Sequence, residues 1–290
     1  MRDFTDDFIE LIRMAATDLP DDVEEALGDA RGKEEEGAAA HGALDTILSN
    51  VAIARRESLP ICQDTGTPIF YVKYPEGLST LKLREQIKSA VVEGTKRNYL
   101  RPNAVDALTD KNSGNNLGDD AFPTIHFDEV EGTTMAIDLM LKGGGCENVG
   151  AQYSLPNNGI GAGRDMKGVR KAVLDAVQKA QGQGCAPGIL GVAIGGDRGS
   201  SYHAAKEQLL RKLHDTNPDP ELNAMEQQLK DESNGLGIGP MGFGGETSIL
   251  DVKMTGMHRL PASYFVSVSY MCWASRVRRM TVENDNVTFK

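Results

Sequence analysis

The spacing of apolar residues changes along this chain, and that change limits the fold more than any single residue does. Phe8, Ile9, Leu11, Ile12 and Ala15 recur at helical spacing, with Thr5 or Asp6 as a cap. Pro20, Asp21 and Asp22 look like a second helix start, with acids in the first turn where the helix dipole favours them. The stretch Glu34 to Arg56, with Leu44, Ile47, Leu48, Val51 and Ile53, predicts a long amphipathic helix that stops at Ser58-Leu59-Pro60. Strand-like runs follow at Ile69 to Val72, Thr124 to Phe127, Thr133 to Leu141, Ile189 to Ile194, Ser248 to Met254 and Tyr264 to Met271. Arg279 to Lys290 reads as a last edge strand, and helices are expected over 81–99, 167–181, 202–214 and 221–230. This loose alternation lacks the strict β-α-β beat of a doubly wound sheet. It predicts an α+β or irregular α/β chain, with a helical N-terminal part followed by mixed α/β lobes. No low-complexity linker and no repeat fixes a boundary, so residues 1–290 are read as one domain that two lobes could share.

Composition narrows the function classes. The 290 residues are 40% hydrophobic, with 32 glycines besides, enough to build a core and to exclude disorder for most of the chain. A net charge of −11 argues against a general nucleic-acid or anionic-membrane binder, because polyphosphate surfaces demand a basic face. No run approaches the ~18 apolar residues of a membrane span. The start, Met1 to Asp7, is acidic where a signal peptide is cationic, so a soluble, cytoplasmic protein is expected. Four cysteines are too few for a disulfide scaffold in a chain this long. In a reducing compartment they are thiols, metal ligands or catalytic groups.

Polar residues and glycines gather in a few loops. Leu59 to Pro68 presents Cys62, Gln63, Asp64, Thr65 and Thr67 between a helix and a strand, and a plain turn gains nothing from Cys-Gln. Lys142-Gly143-Gly144-Gly145 has neither Walker nor Rossmann spacing, yet consecutive backbone N–H groups can form an anion site. Gly195-Gly196-Asp197-Arg198-Gly199 follows a buried strand and precedes a helix, where α/β sheets place ligands. Arg101 and Asn103 end a helix near the polar loop. Asp110 to Asp120 is turn-rich, and Asn234 to Gly245 holds six glycines in twelve residues. The cysteine gaps of 84, 39 and 87 residues rule out a zinc ribbon or a ferredoxin-type run. Taken singly, a cysteine is more often a buried small apolar residue than a ligand, yet Cys62, Cys185 and Cys272 each lie at a strand end beside Pro, Gly or a polar loop, where a ligand must project.

Five motifs taken together resemble a known family. They are Pro60-Ile61-Cys62-Gln63-Asp64-Thr65-Gly66-Thr67, Lys142 to Gly145, Gly184-Cys185-Ala186-Pro187 with Gly195-Gly196, Leu236-Gly237-Ile238-Gly239-Pro240, and Cys272-Trp273-Ala274. Their order resembles the alpha subunit, or N-terminal half, of class I fumarases and L-tartrate dehydratases, the oxygen-sensitive iron–sulfur hydro-lyases. The resemblance implies a [4Fe–4S] cluster held by Cys62, Cys185 and Cys272, with the fourth iron open to substrate. It implies that Gln63, Asp64, Arg101, Gly144 and Gly145 contact a small dicarboxylate, that Asp64 is the general acid, and that His258 supports it. It also implies a beta subunit supplying the base and further substrate groups, in a dimer of heterodimers.

Three positions depart from the family pattern. Cys146 follows the triple glycine where fumarases commonly have Ser and tartrate dehydratases can have Cys. His258 lies 14 residues before Cys272, about two more than the pattern. The chain stops at Lys290, before the second domain of single-chain enzymes, so this chain alone is expected to be nearly inactive. The leading expectation is reversible hydration of fumarate to malate, with tartrate to oxaloacetate as the nearest alternative. Two rivals of other classes are a non-catalytic binding protein with core cysteines, and a cluster-containing sensor or electron carrier that would need Cys146 as a fourth ligand.

Overall fold

The helical front is present as α1 (Thr5–Thr17), α2 (Asp21–Lys33) and α3 (Ala39–Glu57) in the computed structural model, which describes residues 2–119 and 121–290. Met1 of the acidic start and Asp120 of the expected 110–120 loop lie outside the described residues. Next come β1 (Thr67–Pro75), α4 (Thr80–Lys96), β2 (Thr124–Val130), β3 (Met135–Lys142), α5 (Gly144–Asn148) and β4 (Ala151–Ser154). Then follow α6 (Met166–Ala180), β5 (Gly188–Ile194), α7 (Arg198–Gln208), α8 (Pro220–Asn234) and β6 (Ile249–Gly256). The chain closes with β7 (Phe265–Met271), β8 (Val277–Glu283) and β9 (Asn286–Phe289). The architecture is mixed α/β, and the chain divides into two compact units.

The first unit comprises Met1–Pro20, Ser49–Gly144 and Ala274–Lys290. Its sheet has the order β2-β1-β3-β8-β9, parallel only between β1 and β2. The expected single edge strand over 279–290 is a hairpin instead. β8 sits inside the sheet beside β3 and, of the two hairpin strands, β9 forms the edge, because Asn284 and Asp285 take positive φ and reverse the chain. The periodic face of α1 supplies Phe8, Leu11 and Ile12, which pack with Phe70, Ile87, Leu139 and Met280 in one core. Phe8 meets Phe70 edge to face at 6.3 Å. Each such side chain contributes about 1.5–3 kcal/mol by leaving water. Opposite one another on β3 and β8, Asp138 and Arg279 form a bidentate pair at 2.6 and 2.7 Å. That pair fixes the register and raises the Arg279 guanidinium above its usual range.

The second unit comprises Asp21–Leu48 and Gly145–Trp273. Its sheet has the order β4-β7-β5-β6, parallel only between β5 and β6. β4, four residues without strong alternation, has no counterpart in the periodicity; pairing with β7 makes it a strand. β5 is buried throughout, as its uninterrupted apolar run requires. α7 packs on β5, α8 on β6 and α6 on β7. α7 starts at Arg198 rather than near Tyr202, because the Asp197 carboxylate accepts the N–H groups of Gly199 and Ser200. The expected helix over Glu34 to Arg56 likewise starts only at Ala39. The Glu34 side chain is buried and accepts the N–H groups of Glu246 and Thr247, pinning the glycine-rich 234–245 segment. No helix among the described residues is long and apolar enough to cross a membrane.

Candidate functional site

In the first unit, strand pairing brings two motifs to one end of the sheet. Thr67 of β1 lies opposite Lys142 of β3, so the Cys62–Gly66 loop and the glycines after Lys142 leave the sheet together. Gly66 has φ +78, and a Cβ there would stand 2.8 Å from the Lys142 carbonyl carbon and oxygen. Only glycine permits that approach. The Asp64 carboxylate is held at both ends: Oδ1 accepts the Gly66 N–H at 3.0 Å and Oδ2 accepts the Gly144 N–H at 2.7 Å. The Gly144 amide, expected to serve a substrate oxygen, is therefore committed to Asp64 in this structure.

A second layer of bonds holds the loop. The Arg101 N–H donates to Thr65 Oγ1 at 2.9 Å and its Nη1 to the Gln63 carbonyl at 3.2 Å. Asn103 Nδ2 donates to Thr65 Oγ1 at 3.1 Å. Buried Asn116 accepts the Asn103 N–H and donates to the Arg101 carbonyl, both at 2.6 Å. Arg276 Nη1 donates to the Asp64 carbonyl. Gln63 and Arg101 are exposed, and Cys62 and Asp64 partly so. The loop thus presents a fixed carboxylate beside a guanidinium whose fork suits a carboxylate ligand.

The second unit holds Gly145, Cys146, Cys185, His258 and Cys272, whereas Cys62, Gln63, Asp64, Arg101 and Gly144 belong to the first. Gly145 is exposed in the short α5, and Cys146 behind it is buried. Cys185 takes a left-handed conformation, φ 56 and ψ 65, after a tight turn over Gln181–Gly184. The Trp273 N–H donates to the Cys185 carbonyl at 3.2 Å, which sets the Cys185 turn beside the end of β7 where Cys272 sits. Tyr270 of β7 packs its ring against the glycines that flank Cys185. A Cβ on Gly184 or Gly188 would lie 2.5 or 2.3 Å from its ring, so both must be glycine. Burial first, and then Cys272, Cys146 and Cys185, push the Tyr270 phenol far above its usual range. His258 is exposed in the β6–β7 connection, where its carbonyl accepts the Gly196 N–H at 3.1 Å. It lines a cavity of about 430 Å³ with Asp219, Glu221, Arg259 and Tyr264.

No disulfide joins the four cysteines. Among the described residues, no three His, Cys, Asp or Glu side chains are grouped to hold a metal ion. A cubane takes one thiolate on each of several irons and needs no convergence on a single point. Cys62 lies in the loop before β1, and Cys185 and Cys272 sit in neighbouring turns; cysteine sulfur is the soft donor such a cluster selects. Sequence reasoning missed Asn116, Arg276 and Tyr270. Asn116 lies in a stretch that reads only as turns, and nothing local distinguishes a buried arginine or tyrosine from a surface one.

The profile of the family described as fumarate hydratase (Fumerase) matches residues 5–281. The chain is 50% identical over 270 residues to a Geobacillus stearothermophilus protein provisionally named fumarate hydratase class I. That match covers 92% of this chain and 52% of the relative, so the chain spans about half of that protein's length. It is 37% identical over 279 residues to a Methanocaldococcus jannaschii protein provisionally named L(+)-tartrate dehydratase subunit alpha, covering 94% of this chain and 95% of the relative. The L(+)-tartrate dehydratase subunit alpha of Escherichia coli strain UTI89 is 31% identical over 282 residues, covering 96% of this chain and 89% of that protein.

Proposed function

This chain belongs to the fumarate hydratase (Fumerase) family, and on that premise we propose that it is the alpha-type half of an iron–sulfur hydro-lyase interconverting fumarate and malate. The observation that carries the reading is the Asp64 carboxylate, clasped by the Gly66 and Gly144 amides beside Arg101. Two of its lone-pair positions are taken by those amides, and two remain for a proton passed to or from the departing hydroxyl. Arg101 and Gln63 hold a substrate carboxylate, with Gly144 and Gly145 lining the same ligand. His258 supports the proton transfer. Cys62, Cys185 and Cys272 hold a [4Fe–4S] cluster with one open iron. When bound, that cluster supplies Lewis acidity to the substrate hydroxyl and carboxylate. A beta-type subunit contributes the base, in a dimer of heterodimers, within the reducing cytoplasm.

L-Tartrate dehydration is the second reading. It is favoured by Cys146 after the triple glycine, and by the near-complete coverage of two relatives named for that alpha subunit.

Anaerobic reconstitution with iron and sulfide tests the site. About four irons should bind per chain, and Cys62→Ser, Cys185→Ser and Cys272→Ser should each abolish binding while Cys146→Ser does not. A colourless protein, or dependence on Cys146 alone, overturns the assignment. With the cluster and a partner half in place, malate assayed against tartrate decides between the substrates.

A further inference from the structure

Three arginines stand close together at the start of β8, and two have carboxylate partners. Arg278 pairs with Asp18 at 3.0 Å and Arg279 with Asp138 at 2.6 Å. Arg276 is different. Among the described residues it is the largest fully buried side chain, 2% exposed, and no carboxylate pairs with it. A buried guanidinium without a counter-charge is costly, and an apolar side chain of similar volume would pack there more favourably. What Arg276 does instead is bridge two segments. Its Nη1 donates to the Asp64 carbonyl, and its own carbonyl accepts the Leu141 N–H at 2.9 Å. The first segment supplies Asp64 and Gly66; the second runs on from β3 into Gly144. These are the segments whose alignment lets one carboxylate take both the Gly66 and the Gly144 amides.

We propose that Arg276 is a positioning residue, fixing Asp64 through its main chain so that its carboxylate stays clasped between Gly66 and Gly144. Among the described residues no arginine side chain grips the Asp64 carboxylate; the Arg276 guanidinium takes the carbonyl and leaves both carboxylate oxygens to the amides. The division is functional, because an Arg–carboxylate fork would occupy the lone pairs that proton transfer needs.

Amide hydrogen exchange on the full chain tests this directly, since the Gly66 and Gly144 protons are the ones Asp64 holds. In Arg276→Met, those two amides should exchange about ten-fold faster or more, with Ile137 at the centre of the sheet unchanged. Arg276→Lys, which keeps a charged donor, should restore most of the protection. Unchanged exchange at Gly66 and Gly144, or equal acceleration at Ile137, overturns the proposal, the latter showing only a loosened unit. If Arg276→Met fails to fold, Arg276→Gln takes its place with the same expectations. A kinetic arm rests on the hydro-lyase reading: with the cluster loaded and the partner half present, kcat should fall about 100-fold while KM moves far less. An unchanged kcat in a folded variant overturns the positioning role. Absence of turnover in the unsubstituted protein defeats the hydro-lyase reading alone, and the exchange experiment still decides on Arg276.

Discussion

Gly66 and Gly114 have nearly the same φ, +78 and +79, yet they answer to different forces. At Gly114 nothing lies within 4 Å of a built Cβ, so alanine meets only the left-handed penalty, about 1–2 kcal/mol. At Gly66 the Cβ would press on the Lys142 backbone at 2.8 Å, which no rotamer change relieves. Gly66→Ala should therefore cost about 3 kcal/mol or more, adding overpacking to the conformational term. Urea midpoints of the two variants check the difference. Equal midpoints would show that the close approach carries no energy. The same contrast shows what was legible at this scale. Cys62, Gln63, Asp64 and Gly66 stand out in the sequence because a simple turn has no use for a thiol and an amide beside its Asp and Gly. Asn116 and Arg276 do not stand out, since their burial is created by Arg101, Asn103 and Asp64, residues far away in sequence that the fold brings against them.

Among the elements, most helices and strands follow from periodicity, and two helix starts are displaced by a polar side chain that bonds backbone amides, one remote and one local. Glu34 has the residue type and the setting of a helical position, but its carboxylate accepts the Glu246 and Thr247 amides, and the helix waits until Ala39. Asp197 shifts the start of α7 in the opposite direction by capping it. The partners of Glu34 lie more than 200 residues away, so that boundary was not legible, whereas the Asp197 cap is local and an Asp before the helix was a signal that the apolar spacing did not use. Glu34→Ala leaves the buried Thr247 N–H and the part-buried Glu246 N–H unanswered and should destabilise the second unit by about 2–3 kcal/mol. The exposed neighbour Glu35, replaced in the same way, should stay within about 0.5 kcal/mol. Denaturant midpoints for both variants check this, and a Glu34 effect no larger than that of Glu35 would remove the carboxylate as the reason for the late helix start.

For the whole molecule, the division into two units left no trace in composition. The chain passes between them after Pro20, after Leu48 inside α3, after Gly144 inside the triple glycine and after Trp273. None of these is a polar, Pro-rich linker of the kind that marks a boundary in sequence. Chain length carries the complementary information. These 290 residues cover 95% of one relative named as a tartrate dehydratase alpha subunit but only 52% of one named as a class I fumarate hydratase. On the proposed reading, the remaining substrate groups would arrive on another chain in the first arrangement and be fused to the equivalent of this one in the second. If fixed positioning of substrate is divided in this way, the cluster-loaded 290 residues tested by themselves should turn over at least about 100-fold more slowly than with a second half added. The unmatched half of the Geobacillus protein, supplied as a separate chain, is a ready surrogate, because the half it normally adjoins is 50% identical to this one. Restored fumarate–malate interconversion would place the catalytic base outside these 290 residues. Full activity before the second half is added would place every group the reaction needs on this chain, and the division of labour between alpha and beta halves would have to be abandoned.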